Sequence, residues 1–586
     1  MWQVRDADWK LWANVMFIQV PQKSLVPSII ESMKNYLPVQ NRAREDFRIT
    51  RFNLVPLKDV GESSRNIWSS GLFPSLHPAA LIAPPVMAIF ILLIACFNFA
   101  NTSIATFSRR LKEIALRKTF GGQRGQLITQ FMSETLIICT LAMVTGVAIA
   151  AFLVPAYSSL WEYMTIELTF GRYVFFWIFL FLLLLLTGAV AGVYPAVYVS
   201  SFTPVKVLRG TSRFRGSGIL SSSLLTLQFA ISLTALIMGI VFSRNADYQR
   251  TLDLGYDRDK LLVVPVAPEH FASFRNELLS NPAIISAEGT DEHVGWGGYR
   301  RPLKYEQRQL EVDVLDVGPG YADAMGLRLK QGRLFETERA DADRTGNSIV
   351  INQKMADDFG WDDPVGKSVT LYDTTSLTVI GVVEDFYTSG LWQKIEPSML
   401  RLSADDQYRV IAVRADASDL PAVLEFTGKK WKELAGSGIF RGQLQEDLMQ
   451  EEKDINDSIL KVNLFLAIVA AILSLVGMYN LVSLDIIRRT KEVGIRKIQG
   501  ASVPSIMLLV SKKYIVILII ASVLGCAGGY RMSLMLLDSI WDYFIEIRAG
   551  ILVIAVIMMF VATIMTISIK VINAATRNPV DSLRNE

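Results

Sequence analysis

Cysteine and histidine are scarce: the 586 residues hold three of each. Cys96, Cys139 and Cys526 fall inside apolar stretches, far apart in sequence and alike in setting. That argues against a disulfide framework or a metal site, and they read as thiols packed as small hydrophobes. The histidines are His77, His270 and His293, and the last directly follows two acidic residues. Asp291-Glu292-His293 lies beside Gly295, Gly297 and Gly298, and reads as a solvated loop rather than a metal site. No Ser/His/Asp arrangement, zincin motif or paired cysteine supports catalysis. Met1 to Asp8 is followed by no apolar core, so it is no signal peptide. A net charge of +3 is too small to suggest nucleic acid.

One stretch imitates a nucleotide site. Gly360-Trp-Asp-Asp-Pro-Val-Gly366-Lys367-Ser368 has five residues between its glycines, including Pro364. A phosphate loop needs four, so that consecutive amides cradle the phosphates. A turn leading into a strand fits better. No other stretch resembles a nucleotide site, so energy is expected from another subunit.

Apolar residues dominate instead, at 51% with a mean hydropathy of +0.33. Charge is 20% and unevenly spread. A bilayer core of about 30 Å needs about 20 helical residues. Seven segments qualify: Leu81 to Ala105, Leu127 to Val154, Tyr173 to Val199, Leu224 to Phe242, Ile459 to Leu484, Tyr514 to Tyr530 and Ile551 to Ile572. The sixth is short and ends in glycine-rich sequence before Arg531. Glu134 and Asp485 lie near span ends, and no chain of carboxylates crosses, which argues against ion-coupled transport.

Lysine and arginine in the short loops set the orientation. Arg109, Arg110, Lys112, Arg117, Lys118 and Arg124 follow the first span. Lys206, Arg209, Arg213 and Arg215 follow the third, and Arg488, Arg489, Lys491, Arg496 and Lys497 the fifth. The opposite loops, Pro155 to Arg172 and Leu536 to Gly550, carry Glu162, Glu167, Asp538, Asp542 and Glu546. The basic loops and the C-terminus are therefore cytoplasmic, and the large polar segment between the fourth and fifth spans is outside.

The chain also repeats itself. RRLKEIALRKTFGG, Arg109 to Gly122, aligns with RRTKEVGIRKIQGA, Arg488 to Ala501, with seven of fourteen positions identical at an offset of 379. At that offset Asn101 matches Asn480, and Gly146 and Ala150 match Gly525 and Gly529. Those small pairs let membrane helices approach closely. Pro204 to Arg209 echoes Pro579 to Arg584, with a four-residue slip. Five segments follow: 1–80, the remnant of a first outer domain; 81–216, a first three-span repeat; 217–243, the leading span of the second repeat; 244–457, an outer domain; and 458–586, the second three-span repeat. Copy one has no leading span, so a helix and roughly 130 outer residues are expected to precede Met1 in a full-length form.

In both copies a glutamate, Glu113 or Glu492, stands four residues before Arg117 or Arg496, the favourable order for a helical ion pair. Gly121 and Gly500 suit the position just past a helix end. Each loop reads as a short cationic helix under the membrane, which suggests a two-lobed partner met twice. A plain positive-inside anchor explains the Lys and Arg, but not the shared Glu, Gly and spacing.

RxKEIGxRKxxGA is the signature that this chain resembles, that of the FtsX/MacB-like ABC permeases; Ala115 and Thr119-Phe120-Gly121-Gly122 depart slightly from it. LIACFNFANTSIA and LITQFMSET resemble the first repeat of the branch with two repeats. MGLRLKQGRLF, SIVINQKMADDFGW, DPVGKSV and LTVIGVVEDFY, in order between Met325 and Tyr387, resemble the MacB-like periplasmic core domain. The resemblance implies a multi-pass α-helical membrane protein with a mixed α+β extracytoplasmic domain of two lobes. Short β-branched strands at Ser348 to Asn352 and Leu377 to Val383 agree.

The resemblance also implies a permease in the cell (inner) membrane, with no ATPase of its own. ATP and Mg would sit on a cytoplasmic ABC ATPase subunit docked at the basic loops. A second permease copy, a periplasmic adaptor and an outer-membrane channel stay open as further partners. Efflux of drugs or peptides stands beside mechanotransmission or sensing without cargo, and beside a membrane-anchored enzyme acting through residues 245–457.

Overall fold

The computed structural model describes residues 17–43, 48–59, 78–109, 111–161, 166, 174–200, 215–296, 299–371, 375–390, 392–435 and 439–575. Arg110, His77, Gly297, Gly298, the acidic loop residues Glu162 and Glu167, and both Pro-Val repeats at Pro204 and Pro579 lie outside them. The helices in chain order are α1 (Val26–Met33), α2 (Leu37–Ala43), α3 (Pro78–Arg109), α4 (Leu111–Thr119), α5 (Arg124–Ser158), α6 (Val174–Ser200), α7 (Arg215–Arg250), α8 (Pro268–Leu278), α9 (Tyr321–Met325), α10 (Ala340–Thr345), α11 (Gln353–Phe359), α12 (Leu420–Ala435), α13 (Gln445–Leu448), α14 (Gln450–Ile498), α15 (Val503–Ile540) and α16 (Ala549–Ala575). Contacts divide the chain into two compact units: residues 1–81, 252–452 and 541–543, and residues 82–251, 453–540 and 544–586.

Among the described residues, the second unit holds seven helices long and apolar enough to span a bilayer, α3, α5, α6, α7, α14, α15 and α16. Lipid offers a backbone no hydrogen bonds, so each span is helical throughout. The sixth does not stop before Arg531: α15 continues to Ile540. Its glycines do not break it, because they are sites of contact. A Cβ on Gly525 would lie 2.8 Å from Leu233 Cβ and 2.9 Å from the Ala230 carbonyl, and one on Gly529 would lie 2.9 Å from Ile237 Cβ. Between them the Thr234 hydroxyl donates to the Gly525 carbonyl at 3.3 Å. α7 is thereby the most enclosed span.

The matching pair in copy one behaves differently. Leu127, Phe131 and Thr135 of α5 are buried, as are Ile506, Val510 and Tyr514 at the same repeat positions of α15. Beyond that point the copies diverge. Ala521, Gly525 and Gly529 are buried, while Ala142 and Gly146 are exposed and nothing lies within 4 Å of a Cβ on Gly146. Gly146 therefore lacks close packing among the described residues, while Ala150 is half-buried; the surface that fills this position in copy two is α7.

The two repeats meet through side-chain amides. Asn98 of α3 and Gln228 of α7 both donate to the Leu473 carbonyl of α14, each at 3.0 Å. Gly477, one turn on, leaves room for both amide groups. Asn480 donates to the Thr102 hydroxyl at 3.3 Å.

The first unit is built on an eleven-stranded mixed sheet: β1 (Leu261–Pro265), β2 (Ile284–Thr290), β3 (Tyr299–Tyr305), β4 (Arg308–Val317), β5 (Leu329–Gly332), β6 (Ser348–Asn352), β7 (Ser368–Leu371), β8 (Thr375–Val383), β9 (Ser398–Leu402), β10 (Val410–Ala415) and β11 (Gln443–Leu444). Six strands close on themselves in the order β4-β3-β7-β8-β6-β9, with β9 returning parallel to β4. Inside lie Leu303, Val312, Ile349, Ile351, Val379 and Met399, with Met355 and Phe359 of α11 against them. The other lobe runs β2-β10-β1-β11. Its core joins Leu262, Val264, Ile411 and Val413 to Phe271, Phe274 and Val423 from α8 and α12. The strands expected at Ser348 and Leu377 are β6 and part of β8. The phosphate-loop imitation is a helix end and turn: Gly360 closes α11 with φ 74°, and Ser368 starts β7.

His293 is a correction. It is not solvated but wholly buried, with Nδ1 2.9 Å from the Tyr321 hydroxyl and Nε2 2.6 Å from Gln445 Oε1. The sequence hid this because both partners are distant in the chain. Burial pushes its pKa down to about 4. The unfolded chain therefore takes up a proton near pH 6.5 that the folded chain refuses until about pH 4. Stability is unaffected above pH 6.5 and falls as pH drops toward 4.

Two predictions follow from this architecture. Gly529→Leu is expected to overpack the contact with α7 and lower the melting temperature of the detergent-purified chain, at a cost of about 1–3 kcal/mol. Gly146→Leu should leave the melt unchanged; equal losses would refute the asymmetry. For His293, melting curves of wild type and His293→Gln are compared from pH 7 to pH 4. Burial holds Glu288 and Asp313 above the usual carboxylate range, which acts in the opposite sense, so the difference between the two proteins isolates the imidazole. Wild type should lose on the order of 3 kcal/mol relative to the variant across that window.

Candidate functional site

The repeated cationic segments take two forms. In copy one, α4 is a separate nine-residue helix. In copy two the segment is not a short helix of its own, as expected, but the end of α14, a continuous helix of 49 residues. Asp485 to Glu492 contains neither proline nor glycine, so nothing in it stops the preceding span. At 1.5 Å per residue α14 is about 70 Å long, more than twice a bilayer core.

Both segments end alike. Gly121 and Gly500 adopt left-handed φ of 94° and 88°. Gly122 N–H donates to the Arg117 carbonyl at 2.9 Å, and Ala501 N–H to the Arg496 carbonyl at 2.9 Å. Those bonds reach back across the last turn and satisfy carbonyls that a helix end leaves open. Nothing lies within 4 Å of a Cβ on either glycine, so the backbone angle alone requires them.

The ion pairs also recur. Arg117 contacts Glu113 at 2.6 Å, and Arg496 contacts Glu492 at 3.0 Å. All four side chains are about half exposed. Such a pair contributes only about 0.3–0.5 kcal/mol, so it shapes a charged surface more than it stabilises the fold. Arg117 also donates to Gln130 Oε1 at 3.1 Å, tying α4 to the first turns of α5. Ile114 and Ala115 are buried against Leu127, Phe131 and Ala196, so the departure at Ala115 falls on the inward face.

Arg109 ends α3, Lys112 lies in α4, and Arg488, Lys491 and Lys497 lie in α14. Lys118 and Arg489 are half-buried. Arg110 lies outside the described residues.

Sequence reasoning missed the apolar members of the surface. Leu116 and Phe120 are exposed beside the Glu113–Arg117 pair, Phe120 at 88%. Ile495 and Ile498 are exposed beside the second pair. Leu116 and Ile495 carry a signal in the sequence, since each stands three residues after the paired glutamate on the same helical face. The surface is thus a cationic end with protruding hydrophobes. Among the described residues no group of three or more His, Cys, Asp and Glu could hold a metal.

The FtsX-like permease C-terminal family matches residues 85–204 and again 464–579, and the MacB-like periplasmic core domain matches residues 222–425. The macrolide export ATP-binding/permease protein MacB of Neisseria gonorrhoeae is 25% identical over 293 residues, 48% of this chain and 45% of its own length. MacB 2 of Aeromonas hydrophila is 24% identical over 322 residues, 53% of this chain and 48% of its own. The chain spans about half the length of these curated relatives. The crystal structure of the periplasmic region of MacB from Actinobacillus actinomycetemcomitans aligns at 18% identity and a TM-score of 0.26, over 34% of this chain and 94% of that one. Two FtsX-like matches flanking one MacB-like core domain, on seven membrane-spanning helices, place the chain in the FtsX/MacB-like permease family.

Proposed function

We propose that this chain is the permease subunit of an ABC-type complex, driven by a separate cytoplasmic ATPase that carries ATP and Mg. The observation that carries the reading is that one surface is built twice: a left-handed glycine cap, a Glu–Arg pair one turn before it, and exposed hydrophobes beside them. Two copies suit a partner made of two similar ATP-binding lobes. The positive-inside rule puts these surfaces in the cytoplasm and the sheet unit outside the inner membrane. ATP binding would move the two docked ends, and α3 and α14 would carry that shift outward. An unbroken α14 supports such a relay, since a helix transmits displacement along its axis with little compliance.

The work done is proposed to be export of drugs, peptides or other extracytoplasmic substrates, with a second permease copy, a periplasmic adaptor and an outer-membrane channel as candidate partners. Mechanotransmission without cargo uses the same coupling. Co-purification from native membranes tests the reading: an ABC ATPase in the complex supports it, and nucleotide hydrolysis by the chain with no companion polypeptide overturns it.

Two mutational outcomes are expected. Glu113→Lys with Glu492→Lys should reduce stimulation of the ATPase by about fivefold or more while membrane levels stay normal. Unchanged stimulation would remove the assigned role. Gly121→Ala and Gly500→Ala should each cost about 1 kcal/mol through backbone strain, lowering both melting temperature and ATPase binding. Asparagine at the same positions should restore part of the loss, because it tolerates left-handed φ.

A further inference from the structure

The outer loop after α15 does not stay with the helices that it joins. α15 ends at Ile540 and α16 starts at Ala549, both in the membrane unit, whereas Trp541–Tyr543 between them belong to the sheet unit. Trp541 is buried there. Asp542 is held twice by the segment that leads from β8 to β9. Its N–H donates to the Trp392 carbonyl at 3.3 Å, and its carboxylate accepts from the Lys394 N–H at 3.0 Å. The Lys394 ammonium stands 3.7 Å from the same carboxylate. The Tyr543 ring meets Tyr387 edge-on, with centroids 6.1 Å apart. Two residues on, the chain is back in the membrane unit, where the Ile545 N–H donates to Asn245 Oδ1 of α7 at 3.2 Å.

The parts of this contact are unequal. Both side chains of the ion pair are open to solvent, so the pair itself adds little. The main-chain bond to a charged acceptor and the buried indole carry the hold. The segment that receives the loop is anchored in its turn. The Thr388 hydroxyl donates to the buried Asp313 carboxylate at 2.6 Å, and the Tyr387 N–H to the Leu254 carbonyl at 3.0 Å.

Within residues 252–452 the sheet unit is joined through the chain to α7 before β1 and to α14 after α13. Units linked only in this way move relative to one another. Two attachments leave a swing about the line through them, and a third off that line removes it. α15 is placed to supply the third. It starts three residues after Gly500, its Tyr514 hydroxyl donates to Asp485 of α14 at 2.7 Å, and it runs unbroken to the residue before Trp541.

We infer that Trp541–Tyr543 and the segment between β8 and β9 form a clasp that fastens the outer end of α15 to the sheet unit and suppresses its swing. α15 is then a second rod beside α14, carrying movement of the cationic ends to the outside. That use of the clasp rests on the coupling reading proposed above. The clasp itself is measured without an ATPase, so either can fail alone.

The test uses the full chain in maltoside micelles, with Cys96, Cys139 and Cys526 changed to alanine. Nitroxide labels are placed on Ile285→Cys in the sheet unit and Met535→Cys on α15, both exposed positions. Pulsed dipolar spectroscopy reads the width of the distance distribution between them. The closed clasp should give one narrow peak. Asp542→Lys removes the acceptor of the Lys394 N–H and opposes two ammonium groups, and should widen the peak about twofold or more. Tyr543→Ala removes the ring contact without adding charge and should widen it by less. Lys394→Ala keeps the main-chain donor and should leave it narrow. Melting curves establish that each variant is folded. A broad distribution in the unmutated clasp, equal widths with Asp542→Lys and Tyr543→Ala, or a Lys394→Ala effect as large as that of Asp542→Lys would each overturn the inference.

Discussion

In lipid, apolar side chains gain nothing by leaving acyl chains for one another's company, so helices associate through close contact and hydrogen bonding. That constraint explains where this membrane unit spends its few small and polar residues. Gly525 and Gly529 bring α15 onto α7 until a single methyl group would collide. Leu473 offers one carbonyl to two amides from two other helices. Without such contacts, packing would rest on apolar surface that lipid covers equally well.

The repeats obey this constraint unequally. The first turns of α5 and α15 bury the same positions, Leu127 with Ile506 and Phe131 with Val510. At that end α5 packs on α4 through Ile114 and Ala115, and in α15 the Tyr514 hydroxyl donates to Asp485 of α14 at 2.7 Å. Further along, α15 is held by α7 and the same face of α5 is open. Sequence similarity between the copies is thus a statement about residues, while burial depends on which neighbour is present.

The cationic segments show the converse: unequal secondary structure with equal ends. A separate α4 and the tail of α14 finish in the same left-handed glycine and the same hydrogen bond back across the last turn. What recurs is the surface offered, with its charge pair and its exposed Leu116, Phe120, Ile495 and Ile498. In the sheet unit the closed six-stranded ring leaves no free strand, whereas the second lobe ends on β11, two residues long.

The seven spans, the internal repeat, the helical ion pairs and the glycine caps could all be read from residue order. Each depends on chain neighbours within a turn or on hydrophobicity summed over about 20 residues. The strands at Ser348 and Leu377 were legible for the same local reason. The tertiary structure alone decided that His293 is buried between Tyr321 and Gln445, that Gly525 is packed and Gly146 is not, and that Asp542 meets Trp392 and Lys394. Those outcomes depend on residues tens to hundreds of positions apart, and no local pattern records which of them will meet.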